Sequence, residues 1–65
     1  MDKAESLKLA IAAAGSMSKL ARACGVKPQS VRKWVLRGEI PVKRCRQVEK
    51  ATGVSRKKLR PDFFA

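Results

Sequence analysis

The chain has 65 residues, with 16 lysines and arginines against 5 aspartates and glutamates, no histidine and two cysteines, for a net charge of +11. That length holds one domain with one small core and no deep pocket, so residues 1–65 are expected to form a single unit that needs no cofactor or small-molecule ligand. The side chains disfavour an enzyme, because no histidine is available, Asp2, Glu5, Glu39, Glu49 and Asp62 form no paired constellation, and two cysteines are too few for zinc.

The charge is unevenly placed: residues 1–26 carry a net +2 and residues 27–60 a net +10. A polyanion is the expected partner, nucleic acid before an anionic membrane. No apolar run is long enough to cross a bilayer, and Met1-Asp2-Lys3-Ala4-Glu5 lacks the layout of a secretory signal, so a cytoplasmic, nucleoid-associated protein is expected.

In chain order, Asp2 can cap a first helix from about Lys3 to Ala14, with Ala4, Leu7, Ile11 and Ala14 as its buried stripe. Leu9 falls off that stripe, either half-exposed or in contact with another chain. Gly15 ends the helix and Ser16 caps the next, where Met17, Leu20, Ala21 and Cys24 recur at i, i+3, i+4 and i+7. Ser16, Ser18 and Lys19 at this helix start are candidate phosphate contacts.

Gly25 supplies a helix C-cap, Val26 plugs the core, and Pro28 suits the first turn of a further helix over about 28–37. Lys27 then stands at the N-cap, where it offers no acceptor but suits a phosphate. Val31, Trp34 and Val35 form the inner face of this helix. At roughly 100° per residue the opposite side is centred on Gln29 and Lys33, with Arg32, Arg37 and Ser30 flanking. Leu36 lies close to that outer centre, and either reaches outward or turns in toward the next helix, the inward placement being slightly preferred. The two helices and their glycine turn form a helix-turn-helix, with the second helix in the DNA major groove.

Gly38 closes this helix, Glu39-Ile40-Pro41 forms an extended link, and a fourth helix runs through Val42, Cys45, Val48 and Ala51 to Thr52 before Gly53. Lys43 and Arg44 at its start are further candidate phosphate contacts, and Glu49 can pair with Arg46 or Lys50. Ser55 caps a last short turn ending at Leu59. The adjacent Phe63 and Phe64 either fold back over the core or meet a second subunit. Both cysteines fall on apolar faces and are expected to be buried free thiols. The whole is an all-α bundle of four to five short helices, and the breaks at Gly15, Gly25, Gly38 and Gly53 argue against one continuous membrane-binding helix.

The order and spacing of Leu20-Ala21, Cys24-Gly25-Val26, Val31, Trp34, Val35, Arg37-Gly38 and Ile40-Pro41 resemble the Cro-type repressors of phages and prophages, in particular the YdaS-like set with a lambda-repressor-like fold. The resemblance continues through Cys45, Val48-Glu49, Ala51-Thr52-Gly53 and Leu59-Arg60-Pro61-Asp62. It implies sequence-specific binding of a pseudo-palindromic double-stranded DNA operator by two copies, possessed as a free homodimer or assembled on the DNA, and repression of a promoter. An antitoxin-type regulator or a DNA-packaging or recombination accessory would use the same unit. The base-reading positions it implies are Lys27, Gln29, Arg32 and Lys33, with Ser30 nearer the backbone; Arg37, on the flank of the same helix, is a further candidate phosphate contact. This chain departs from the family's usual pattern at Lys27-Pro28, where serine or threonine often caps, and at apolar Leu36.

Overall fold

In the computed structural model, which describes residues 2–64, the chain turns helical at Lys3 because the Asp2 carboxylate accepts the Glu5 N–H at 2.8 Å. Helix α1 (Lys3–Ala14) is followed by α2 (Met17–Cys24) and α3 (Pro28–Arg37). A 3₁₀ turn (Val42–Arg44) leads directly into α4 (Cys45–Thr52), and α5 (Arg56–Leu59) completes the order. Among the described residues there is no strand, so the architecture is all-α.

Helix α2 lies at the centre, packed against α1, α3 and α4, while α1 also meets α4 and α5. Leu7, Leu20, Ala21, Val31, Ile40, Cys45, Val48 and Leu59 close the core between them, with Cys24 and Trp34 at its edge. Burying this much apolar side chain is the main force holding so short a chain together. The link Glu39-Ile40-Pro41 is anchored because Ile40 is fully buried and its carbonyl accepts from Arg60 Nη1 at 2.9 Å.

Several packing details differ from the spacing-based expectation. On α1 the buried residues are Ser6, Leu7 and Ala10, whereas Ala4, Ile11 and Ala14 are half-buried. Helices crowd α1 from several sides, so its small residues face the closest approach and the larger Ile11 stays on the rim. On α3, Val35 is 38% exposed and Leu36 is 78% exposed. The helix packs mainly on α2 with a lighter contact to α1, which leaves room for Val31 and Trp34 inside but turns Leu36 outward. The slight preference for an inward Leu36 is therefore corrected.

The fourth helix begins as the 3₁₀ turn, with the Arg44 N–H bonded to the Pro41 carbonyl at 2.9 Å, and Ala51 is exposed at the edge of the face that Cys45 and Val48 bury, about 120° round the helix from Cys45. Glu49 pairs with Arg56 at 4.0 Å rather than with Arg46 or Lys50, since α5 packs across α4. The two phenylalanine rings meet edge to face with centroids 5.1 Å apart but differ in burial: Phe64 packs on the core beneath the Arg56 guanidinium, while Phe63 is 62% exposed. Leu9 is 44% exposed.

Candidate nucleic-acid interface

The turn between α2 and α3 is fixed by backbone hydrogen bonds. Gly25 adopts φ 69° and ψ 27°, and the Val26 N–H reaches back to the Ala21 carbonyl at 2.9 Å, which closes the helix end and drives Val26 toward the core. A side chain other than glycine would strain this left-handed position. Pro28 then starts α3 from an extended Lys27, φ −77° and ψ 149°, and no side chain caps the new helix. Pro28 has no N–H and the Ser30 N–H bonds back to Lys27, so the start of α3 leaves the Gln29 N–H open beside the exposed Lys27.

The start of α2 lies next to it. Ser16 Oγ accepts the Lys19 N–H at 3.1 Å, which leaves the Met17 and Ser18 N–H groups without an intrahelical acceptor. The Lys19 side chain lies across Gly15, so close that a Cβ there would meet its Cδ at 2.9 Å. Between the two helix starts runs an open cleft lined by Met17, Ser18, Pro28, Gln29 and Arg32. Spacing alone gave Met17 to the core; it is half-buried and also walls this cleft.

Gln29, Arg32, Lys33 and Arg37 are all exposed along α3, and Ser30 is half-buried with its N–H on the Lys27 carbonyl at 2.9 Å. Lys43 is exposed on the 3₁₀ turn. Arg44 is less free: it is half-buried, donates to Gln47 Oε1 at 3.0 Å, and its charge acts on the Cys24 thiol. Ser18, Gln29 and Arg32 thus meet at one cleft, with Lys27 beside it, while Arg37 at the far end of α3 and Lys43 on the 3₁₀ turn do not line it.

The carboxylates are placed elsewhere. Lys3 contacts Glu39 at 3.1 Å and Asp62 at 3.6 Å; Arg60 holds Asp62 at 2.9 Å and Glu39 at 3.2 Å. Asp2 caps α1 and Glu5 sits in its first turn, and Glu49 faces Arg56. Among the described residues no ion pair engages Lys19, Lys27, Arg32, Lys33, Arg37 or Lys43. Sequence spacing missed this Arg60 network, because it joins residues far apart in the chain. Burial pushes both free thiols, Cys24 and Cys45, above their ordinary range, and Cys45 Sγ donates to the Pro41 carbonyl at 3.6 Å. They are packing groups and not nucleophiles. No helix among the described residues is long and apolar enough to cross a membrane.

Comparison with known proteins agrees with the all-α fold. Residues 7–65 match the family described as "Bacterial toxin YdaS". The chain is 43% identical over 62 residues to the Escherichia coli K12 protein named "Putative transcriptional regulator YdaS"; the match covers 89% of this chain and spans 62% of the length of that relative. Among solved structures it is similar to "the Cro protein from putative prophage element Xfaso 1 in Xylella fastidiosa strain Ann-1", with a TM-score of 0.88 and 37% identity over 92% of this chain and 95% of that one.

Proposed function

This chain belongs to the YdaS family, and from that premise we propose that it is a sequence-specific double-stranded-DNA-binding transcriptional repressor of the phage Cro type. The observation that carries this reading is the outward face of α3: exposed, amide-bearing, positively charged, and free of ion pairs among the described residues. A helix of this kind fits the major groove, which is about 12 Å wide.

Gln29 makes paired hydrogen bonds to adenine N6 and N7, and Arg32 or Lys33 reaches guanine O6 and N7. Lys27 reads or steadies the adjoining base from the start of α3. Phosphates are held by Ser18, Lys19, Ser30, Arg37, Lys43 and Arg44, together with the Ser16 hydroxyl, which accepts the Lys19 N–H and still has its own proton to give. Repression is occupancy: the bound protein excludes RNA polymerase, and no chemistry is performed.

Two copies occupy one operator, in the cytoplasm and on the nucleoid. Extents of 28 × 22 × 19 Å allow them to sit side by side on half-sites about one DNA turn, roughly 34 Å, apart. Selection of duplexes from a random pool, at low and at near-physiological salt, tests the reading. A palindromic consensus that survives the higher salt is expected. No enrichment, with binding that vanishes as salt rises, would leave a nonspecific polyanion binder and overturn it.

A further inference from the structure

One side chain on the outward face of α3 is neither polar nor charged. Leu36 is 78% exposed, more than any other large apolar residue among those described. It follows Gln29 by seven residues, which places it two turns on, within roughly 20° of the same line and about 10 Å along the axis. Arg32 and Lys33 flank that line. Val31 and Trp34 are buried on the opposite side, so α3 cannot hide Leu36 by rotating without exposing them.

The surroundings decide what covers this leucine. A second copy seated face to face would bring Arg32, Lys33 and Arg37 against their own counterparts, and the sequence has no carboxylate between residues 6 and 38 to offset them. A duplex reverses the sign of that contact, because the same cations meet phosphate. It also carries Leu36 into the major groove, where the apolar group on a base edge is the C5 methyl of thymine. We propose that Leu36 is a specificity-determining residue that packs on a thymine methyl, roughly three base pairs along from the base read by Gln29. This rests on the operator-binding reading and adds to it a contact that hydrogen bonding cannot supply.

The test begins with duplexes enriched from a random pool by the wild-type protein. Each thymine is replaced in turn by uracil, which keeps its pairing and hydrogen-bonding groups and loses only the methyl. At one position per half-site the replacement weakens wild type by about fourfold, the worth of one methyl taken out of water. Leu36→Ala binds the two duplexes alike at that position, keeps the wild-type helical signal, and keeps the base preference opposite Gln29; Leu36→Met restores the discrimination. Uracil without effect on wild type at every position, or an effect undiminished in Leu36→Ala, overturns the proposal. So does a Leu36→Ala protein that loses self-association in sedimentation while its discrimination stays intact, since the leucine then serves a second copy. Failure of the pool to yield any enriched sequence is a different result: it overturns the operator reading itself, and this contact with it.

Discussion

At the scale of single residues, function and stability part company cleanly. Gln29→Ala is expected to relax base preference at one operator position, whereas Lys43→Ala weakens all sequences alike and lowers the slope of log affinity against log salt by about 0.9. Titrations of consensus and scrambled duplexes over a salt series separate the two, and equal losses on every sequence from both changes would remove α3 from base reading. Ser6 is a different case. It is fully buried and its Oγ has no hydrogen-bond partner among the described residues, so burial costs the hydroxyl its water without a protein bond in return. Ser6→Ala should raise unfolding stability by about 1 kcal/mol in urea while leaving DNA affinity unchanged. A fall in stability would mean that the hydroxyl is satisfied after all.

At the scale of elements, α3 begins on a residue chosen against its own helix. Lys27 caps nothing, and Lys27→Ser should add a side-chain acceptor worth about 1 kcal/mol. The same substitution removes a positive charge from the proposed phosphate and base contacts, so a higher melting temperature and a weaker complex are expected together. Element boundaries such as this one were legible in the sequence, because Asp2, Ser16, Gly25, Pro28, Gly38, Gly53 and Ser55 act on their immediate neighbours. Faces were legible where polar residues separate the apolar ones cleanly, as on central α2 with Leu20, Ala21 and Cys24. They were not on α1, where alanines on most sides blur the stripe and Ser6 and Ala10 are the ones buried, or on α3, where one-sided packing releases Val35 and Leu36. The exposed positions of Gln29, Arg32 and Lys33 followed from helical stepping; the cleft that joins Gln29 and Arg32 to Ser18 depends on how α2 meets α3, which periodicity does not encode.

At the scale of the whole molecule, Lys3, Glu39, Arg60 and Asp62 tie the start of α1, the link after α3 and the end of the described chain into one network. The Arg60 hydrogen bond holds the Asp62 carboxyl at about 2, below its ordinary 3.8. The unfolded chain takes up this proton before the folded one does, so the stabilisation is whole above the ordinary value and drains away as pH falls toward 2. Asp62→Asn should lower the urea midpoint near neutrality and leave it unchanged at the acid end, a modest effect because the side chain is largely open to water. Four of the five carboxylates gather near the start of α1, where Asp2 is the N-cap, Glu5 lies in the first turn and Glu39 and Asp62 pair with Lys3, and only Lys3 and Arg60 offset them within the network. The cations of α3 are left without such company, which gives the molecule an electric moment as well as a net charge. In the field of a DNA rod a body of this kind feels a torque before it feels a contact, which on the proposed binding mode would turn α3 toward the duplex while the protein is still diffusing. Reversing the charge of one acidic residue at that end would strengthen the overall pull of the duplex and weaken the torque, without altering any group proposed to touch the DNA.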